Sequence, residues 1–538
     1  MQRSTIGTAF ALAALVVGVA PARAQVSQQT LDAIGAPAKV TTRIGVLEYK
    51  DGIPTAATVQ KAYDNLDFAH AVDVYLNTFQ GVSAYAIAQG IRRAGVEDNQ
   101  ILLFRQLADA KSLFLTANAD VVYYWGVLDL TKGPMVLETP PGAIGTLDDI
   151  WFNWVSDFGF PGPDRGDGGR YLILPPGYDG PVPEGGFYIG RSKATKVLII
   201  GRSFLENNDP KPTVATIERT LKIYPYVAGG VGTSIAELLT GSVKGGRNEP
   251  PPATVFVEGT GKVMNTIPPS DAGFYDLLNE LVQEQPVGVI DAERMGQLAS
   301  IGIVKGKPFQ PDERMKKILA EAAAVGMATS RTLSYLPRES EGFNYYPNSS
   351  WKNPLWKGGY TMETPPPLVT AEGVVPNPPT GARTLEARTA FFYYATGVTP
   401  AMIMRLPNVG SQYLIGDVDA SGNLLDGGKT YKVKLPPNIP AARFWSFTVY
   451  DNQTRSMLDT PQRYPRAGSQ SYPSPAAVAD ADGSTTVYFG PTLPTGVKPG
   501  NWVQTTPGKG WNTLLRLYSP LPPFFSKEWK VGEIELVK

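Results

Sequence analysis

Apolar, aromatic and β-branched residues are gathered into short runs separated by proline and glycine. Asp120–Leu130 (DVVYYWGVLDL), Lys196–Gly201, Phe444–Tyr450 (FWSFTVY), Thr485–Phe489 and Leu514–Tyr518 are such runs. Runs of this composition between turn residues predict strands. Asn438-Ile439-Pro440 ahead of FWSFTVY and Asp482-Gly483 ahead of TTVYF supply the turn chemistry. Helical spacing is rarer. Thr58–Phe79 places Val59, Tyr63, Leu66 and Val74 on one stripe. Phe274–Val282 shows the same spacing, and so does Asp312–Ala324, through Met315, Ile318, Leu319 and Ala322. Pro311-Asp312-Glu313 fits a helix start.

These elements divide the chain. Arg3, the apolar run Ala9–Ala20 and the small residues Ala22-Arg23-Ala24 predict a secretory signal (residues 1–24) cleaved after Ala24. The run is too short to span a bilayer, and no later segment is long and apolar enough to do so. The expected location is therefore periplasmic or secreted. Residues 25–57 read as a polar leader and 58–230 as an N-terminal strand-rich domain. Residues 231–345 read as a helical bridging region. Residues 346–380, rich in Tyr, Asn, Trp and Pro, read as an irregular connector, and 381–538 as a C-terminal strand-rich domain. The fold class this predicts is mainly β with helical insertions: two jelly-roll-like β-sandwich domains bridged by a helical segment.

Composition narrows the chemistry. The chain holds one histidine, His70, and no cysteine. Thiolate nucleophiles, Cys-ligated clusters and multi-histidine metal sites are excluded. His70 falls on the stripe of Val59, Tyr63, Leu66 and Val74, where a packed, hydrogen-bonded histidine is the commoner role and no nucleophile can be named beside it. Basic and acidic residues balance at 49 each. Losing the signal segment removes Arg3 and Arg23 and no acid, so there is no basic excess to attract nucleic acid.

Motifs are mostly missing. There is no G-x-S-x-G elbow. Gly302–Pro308 is one residue short of a P-loop, with proline where the metal-binding hydroxyl belongs. Ser349-Ser-Trp-Lys352 matches S-x-x-K without its companion motifs. Asp417-Val-Asp419-Ala-Ser421-Gly422 opens like a calcium loop, but Gly428 stands where a bidentate glutamate is required. No cofactor is expected on this basis, with calcium the incomplete exception.

Chemistry is then left to oxygen ligands. Asn118 and Asp120 precede a strand. Asp148, Asp149, Trp151, Asn153, Trp154 and Asp157 alternate acids with large aromatics, and Asp164, Arg165 and Asp167 occupy a glycine-rich loop before Arg170-Tyr171. Rings that stack on pyranose faces and carboxylates that bind hydroxyls or cleave glycosidic bonds would suit a sugar. Caps, turn aspartates and core tryptophans are the plainer account of the same residues.

Several long tracts carry a resemblance. NADVVYYWGVLDLTKGPMVLETPPG, GGRYLILPPGYDGPVPEG and IYPY resemble the bacterial domain of unknown function numbered 1254. FFYYATGVTPAM, DGGKTYKVKLPPNIPAARFWSFTVYDNQTRSML, DGSTTVYFGP, NWVQTTPGKGW and LLRLYSPL resemble its C-terminal partner, numbered 1214. The resemblance implies a frequently exported double β-sandwich without a settled biochemical role. Its recurrent polar positions fall on Asn118, Asp120, Tyr123, Arg170, Tyr171, Trp445, Asp451, Asn501, Trp502, Arg516 and Tyr518. Members often carry arginine at the position of His70, which removes imidazole chemistry from the family's needs.

The candidate catalytic set is Asp120, Asp149, Arg170 and Tyr171. The candidate binding set is Asn118, Tyr123, Trp151, Trp154, Trp445, Asp451, Arg516 and Tyr518. Two functions stay open. One is an exported protein that binds a small-molecule or glycan ligand and cleaves an oligosaccharide-like or polymeric one, as a hydrolase with paired acids or as a lyase with a Tyr base and a neutralising Arg. The other is a non-catalytic envelope or ligand-binding protein.

Overall fold

The computed structural model describes residues 26–230, 251–338, 343–353, 385–397 and 407–537, positions 239, 399 and 401, and a strand pair at Leu368–Thr370 and Gly373–Val375. The expected signal segment and most of the connector lie outside the described residues. Contacts divide the chain into two units, the boundary falling after Leu66. In the first, a helix at Gln28–Ile34 is capped by Ser27, and Lys39–Thr42, Gly45–Lys50 and Ile53–Pro54 form a three-stranded antiparallel sheet. The stretch read as a polar leader thus has regular structure.

The second unit, from Asp67 onward, is strand-rich with helices. A six-stranded sheet runs in the order Phe256–Glu258, Ile101–Leu103, Val121–Asp129, Lys196–Phe204, Ala143–Asp149, Trp154–Gly159. A four-stranded sheet (Tyr188–Arg191, Arg170–Leu174, Met135–Glu138, Lys222–Pro225) shares a core with it, built from Val122, Tyr124, Leu128, Leu137, Tyr171 and Ile173. Later in the chain, Ser411–Gly416, Trp511–Pro520, Ala441–Asp451 and Arg466–Gly468 form a second four-stranded sheet. It shares a core with Trp502–Gln504, Thr485–Gly490, Tyr431–Leu435 and Glu535–Leu536 through Leu414, Phe447, Val449, Val433, Val487 and Phe489.

Both larger sheets bury their other face as well. Val121, Tyr123, Trp125 and Leu198 from one join Phe444, Tyr450, Leu514 and Tyr518 from the other in a third core, together with helical residues such as Tyr75, Phe274, Leu319 and Phe391. Successive side chains of a strand point to opposite faces. A strand buried on both therefore reads as an unbroken apolar run, which is the physical origin of DVVYYWGVLDL and FWSFTVY.

The helix Glu313–Tyr335 starts as expected: the Asp312 carboxylate accepts from the Met315 amide at 2.7 Å. The expected stripe on the helix Ala56–Arg93 holds at Val74, which is fully buried. It fails at Tyr63 and Leu66, which are 60% and 45% exposed. Periodicity reports amphipathicity and not what lies opposite it. Leu385–Tyr394 is a helix inside a region read as strand-rich, with Ala387 through Tyr394 all buried. A helix covered on every side leaves no polar stripe for a sequence reading to detect.

Candidate functional site

The third core is not filled. Between the facing sheets lies a cavity of about 160 Å³. From the six-stranded sheet, register places Tyr123, Arg202 and Ile144 in one row across adjacent strands, and Ile200, Thr146 and Asp157 in the next row on the same face. From the opposing sheet come Tyr413 beside Arg516, and Ile415 beside Leu514. Phe114, Thr116 and Asn118 close one side, and Phe391, Tyr394 and Gly397 another.

Charge makes this cavity unusual. Arg202 Nη2 donates to Ser411 Oγ at 3.2 Å and to the Tyr413 hydroxyl at 3.4 Å. Arg516 is 2% exposed, and its Nη2 donates to the Thr116 carbonyl at 2.6 Å. Arg516 Nε and Nη1 are buried with no partner. No ion pair among the described residues includes Arg202 or Arg516. Arg202 is half-buried where Arg516 is buried. Guanidiniums withdrawn from water are normally paired, so two with no carboxylate partner among the described residues mark a place where an anion would be welcome.

The guanidiniums act on a phenol. Burial alone would raise the Tyr413 hydroxyl. Arg202, the Ser411 hydrogen bond and Arg516 together outweigh burial and hold it below the ordinary tyrosine value. Burial dominates at Tyr123, whose hydroxyl is raised and accepts from Asn118 Nδ2 at 2.6 Å. Burial also pushes the Asp157 carboxyl up to about 7, opposed in part by Trp154, Thr146 and Thr399. Its Oδ1 has no hydrogen-bond partner.

The sequence-predicted residues are distributed unevenly around this cavity. Asn118, Tyr123 and Arg516 line it. Asp120 and Tyr518 lie next to it in an ion-paired cluster, in which Asp120 Oδ1 and Arg466 Nε and Nη2 make no aligned hydrogen bond. The Asp120 carboxylate meets Arg466 Nε at 2.8 Å and accepts from Ser446 Oγ at 2.6 Å and the Tyr518 hydroxyl at 3.2 Å. Asp149 holds a turn, accepting from the amides of Trp151 and Asn153 and from the Asn153 side chain. Burial pushes its carboxyl up to about 6 against those bonds. Trp151 packs on Gly81, where a Cβ would come within 2.1 Å of the indole. Trp154 begins the edge strand that carries Asp157. Trp445 lies in the C-terminal sandwich core. Asp451 pairs with Lys509 at 2.9 Å.

Arg170 and Tyr171 are elsewhere. The Arg170 side chain is 45% exposed, 3.4 Å from Glu138, in an open groove with Asp167, Tyr188, Arg219 and Lys222. The Tyr171 hydroxyl donates to Asp164 at 2.6 Å in the N-terminal core. Asp120, Asp149, Arg170 and Tyr171 therefore do not meet in one pocket. His70 is half-buried on its helix, with Nδ1 unpartnered and away from the cavity lining. In the calcium-like loop, Asp417 pairs with Lys352 at 2.7 Å, and Asp419 accepts from the amides of Ser421 and Asn423. Among the described residues no group of three or more His, Asp or Glu side chains could hold a metal ion, and no helix is long and apolar enough to cross a membrane.

Sequence reasoning missed Arg202, Ser411 and Tyr413 and passed over Asp157 as one acid among several. A signal existed for Arg202. It is a cation inside a strand, KVLIIGRSF, whose residues between it and the leading Lys196 are apolar or glycine and mostly buried. Arg516 in WNTLLRLYSP has the same signature.

Residues 99–225 match the family model described as protein of unknown function DUF1254, and residues 410–522 match protein of unknown function DUF1214. The matched segments are separate stretches of the chain. The cavity lies between them: Tyr123, Arg202 and Asp157 come from the first, Ser411, Tyr413 and Arg516 from the second. Among solved structures, the chain is similar to the VPA0106 protein of Vibrio parahaemolyticus at 19% identity and a TM-score of 0.49, over 88% of this chain and 100% of that one. It is also similar to an uncharacterized protein of Burkholderia cenocepacia at 12% identity and a TM-score of 0.35, over 90% and 97%. No curated protein matches.

Proposed function

We propose that this is an exported protein, periplasmic or secreted, that binds the acidic end of an oligosaccharide-like ligand in the cavity between the DUF1254 and DUF1214 domains. Arg202 and Arg516 receive the ligand carboxylate. The observation that carries this reading is a pair of guanidiniums, one half-buried and one buried, without ion-pair partners among the described residues, flanking one tyrosine.

Of the chemistries open to such a protein, the Tyr/Arg route is the better supported. Asp120 and Asp149 spend their oxygens on structural partners, so a paired-carboxylate mechanism has little to work with. Tyr413, held ionisable by its neighbours, can take the proton from the carbon next to the ligand carboxylate. The electron pair left behind delocalises into that carboxylate, where two guanidiniums stabilise the added charge. The pair then forms a carbon–carbon double bond as the β C–O bond breaks, and the departing oxygen is protonated. Binding without turnover is the second reading. The small cavity with apolar walls at Ile144, Ile200, Phe391 and Leu514 favours it.

Calorimetric titration with oligosaccharides ending in a uronic acid, and with their neutral counterparts, tests the proposal. Ultraviolet absorbance of the unsaturated product reports elimination. Binding confined to acidic ligands and lost in Arg202→Met is expected. Equal binding of neutral ligands, or none of acidic ones, removes the proposal.

A further inference from the structure

We infer that Asp157 reads a hydroxyl on the ligand, at the end of the cavity away from the carboxylate. The ligand unit is then a hydroxylated, ring-sized monocarboxylate. This rests on Arg202 and Arg516 holding the carboxylate.

Apart from Arg516, three hydroxyls on the cavity wall are already engaged. The Tyr123 hydroxyl has Asn118, Tyr413 has Ser411 and Arg202, and the Thr146 hydroxyl has Asp148 at 3.2 Å. Asp157 differs. It is 5% exposed, lines the cavity, and leaves Oδ1 with no hydrogen-bond partner. An unmade hydrogen bond at a buried carboxyl is expensive, and a ligand hydroxyl is the group that would repair it. A hydroxyl both donates and accepts, so it fits this carboxyl whether ionised or protonated.

Position sets the size of the ligand. Arg202 is opposite Ile144, Ile144 is opposite Gly159, and Asp157 is two residues along the edge strand on the same face. Strand spacing and rise then put the Arg202 and Asp157 Cα atoms roughly 12 Å apart. Side chains reaching in from both ends leave space for one ring between them. Ile200 lies beside Thr146 in the row that ends at Asp157 and gives the ring an apolar floor. One face of a pyranose, or a cyclohexane ring, suits such a floor.

The probes are cyclohexanecarboxylate and its 3- and 4-hydroxy derivatives, titrated calorimetrically into the wild-type full chain, Asp157→Asn and Asp157→Leu. One hydroxylated acid is expected to bind about tenfold more tightly than the plain acid, the worth of one hydrogen bond. Asp157→Leu should erase that preference, while Asp157→Asn should keep most of it. If all three acids bind equally and through Arg202, the inference fails and the carboxylate reading survives. If none binds in an Arg202-dependent way, both fail. Thermal unfolding of each variant confirms folding. Should Asp157→Leu not fold, the wild-type preference and its retention in Asp157→Asn decide the matter.

Discussion

Arg466 and the pair Arg202 and Arg516 sit on the facing sheets of one core and obey different rules. Arg466 and Asp120 are both 0% exposed on their side chains and meet at 2.8 Å. That pair ties the DUF1254 tract NADVVYY to the opposing sheet, with Ser446 and Tyr518 adding hydrogen bonds. Arg202 and Arg516, on the same facing sheets, have no such acid among the described residues. They spend donors on a serine, a tyrosine and a carbonyl, and Arg516 has two nitrogens left over. A charge buried with its counter-ion is architecture, and removing one partner is costly. A charge buried without one is held at a cost that a ligand can offset.

The contrast can be broken most forcefully at Asp120. Asp120→Ala leaves Arg466 buried and unpaired and should cost about 3–5 kcal/mol in urea unfolding. A loss under 1 kcal/mol would mean the pair holds nothing together. Next in size is Arg202→Met. It should leave stability within about 1 kcal/mol of wild type or raise it, because no counter-ion is orphaned, while weakening binding of acidic ligands by at least about tenfold. A stability loss as large as that of Asp120→Ala would place Arg202 with the architecture.

Titration sharpens the same comparison. The Asp157 carboxyl is raised to about 7, so the native state holds its proton after the unfolded chain has released its own. The stability this contributes is complete below about pH 4 and is lost as pH rises to about 7, at up to roughly 1.4 kcal/mol per pH unit. Asp149, raised to about 6, adds to the lower part of that window. Asp157→Asn should flatten the upper part in unfolding measured across pH.

Tyr413 has the opposite sign. Its native value is depressed, so its contribution is present at high pH and lost as pH falls through that value. Tyrosinate absorbance of the folded protein should show an early ionisation that is missing in Tyr413→Phe and shifted upward in Arg202→Met. The smallest effect is expected at Arg170, exposed beside Glu138. Arg170→Ala should change stability by no more than about 0.5 kcal/mol and leave cavity binding untouched.

Much of this was legible in the chain. Val121–Asp129, Lys196–Phe204, Ala441–Asp451 and Trp511–Pro520 are strands where apolar runs predict them. Asp312 caps its helix as its position suggests. Asn118, Tyr123 and Arg516 reach the cavity from tracts that carry the family resemblance. What stayed hidden has one cause. Asp149, Asp157 and Asp164 look alike in sequence, each an acid among aromatics and glycines. They differ only in what surrounds them: amides and Asn153 for Asp149, Tyr171 and the Gly159 amide at Oδ1 of Asp164, and the cavity for Asp157.

By itself the sequence determined the residue types available for chemistry and the strands buried on both faces. Those follow from composition and from alternation along a strand, which are local. Tertiary structure alone decided which charges are answered. Arg202 and Tyr413 lie 211 positions apart and meet because two sheets present facing rows across a gap. Whether a buried cation finds a carboxylate, a phenol or an empty space there depends on register and on what the other domain brings. Burial then sets the proton affinities of Tyr413 and Asp157.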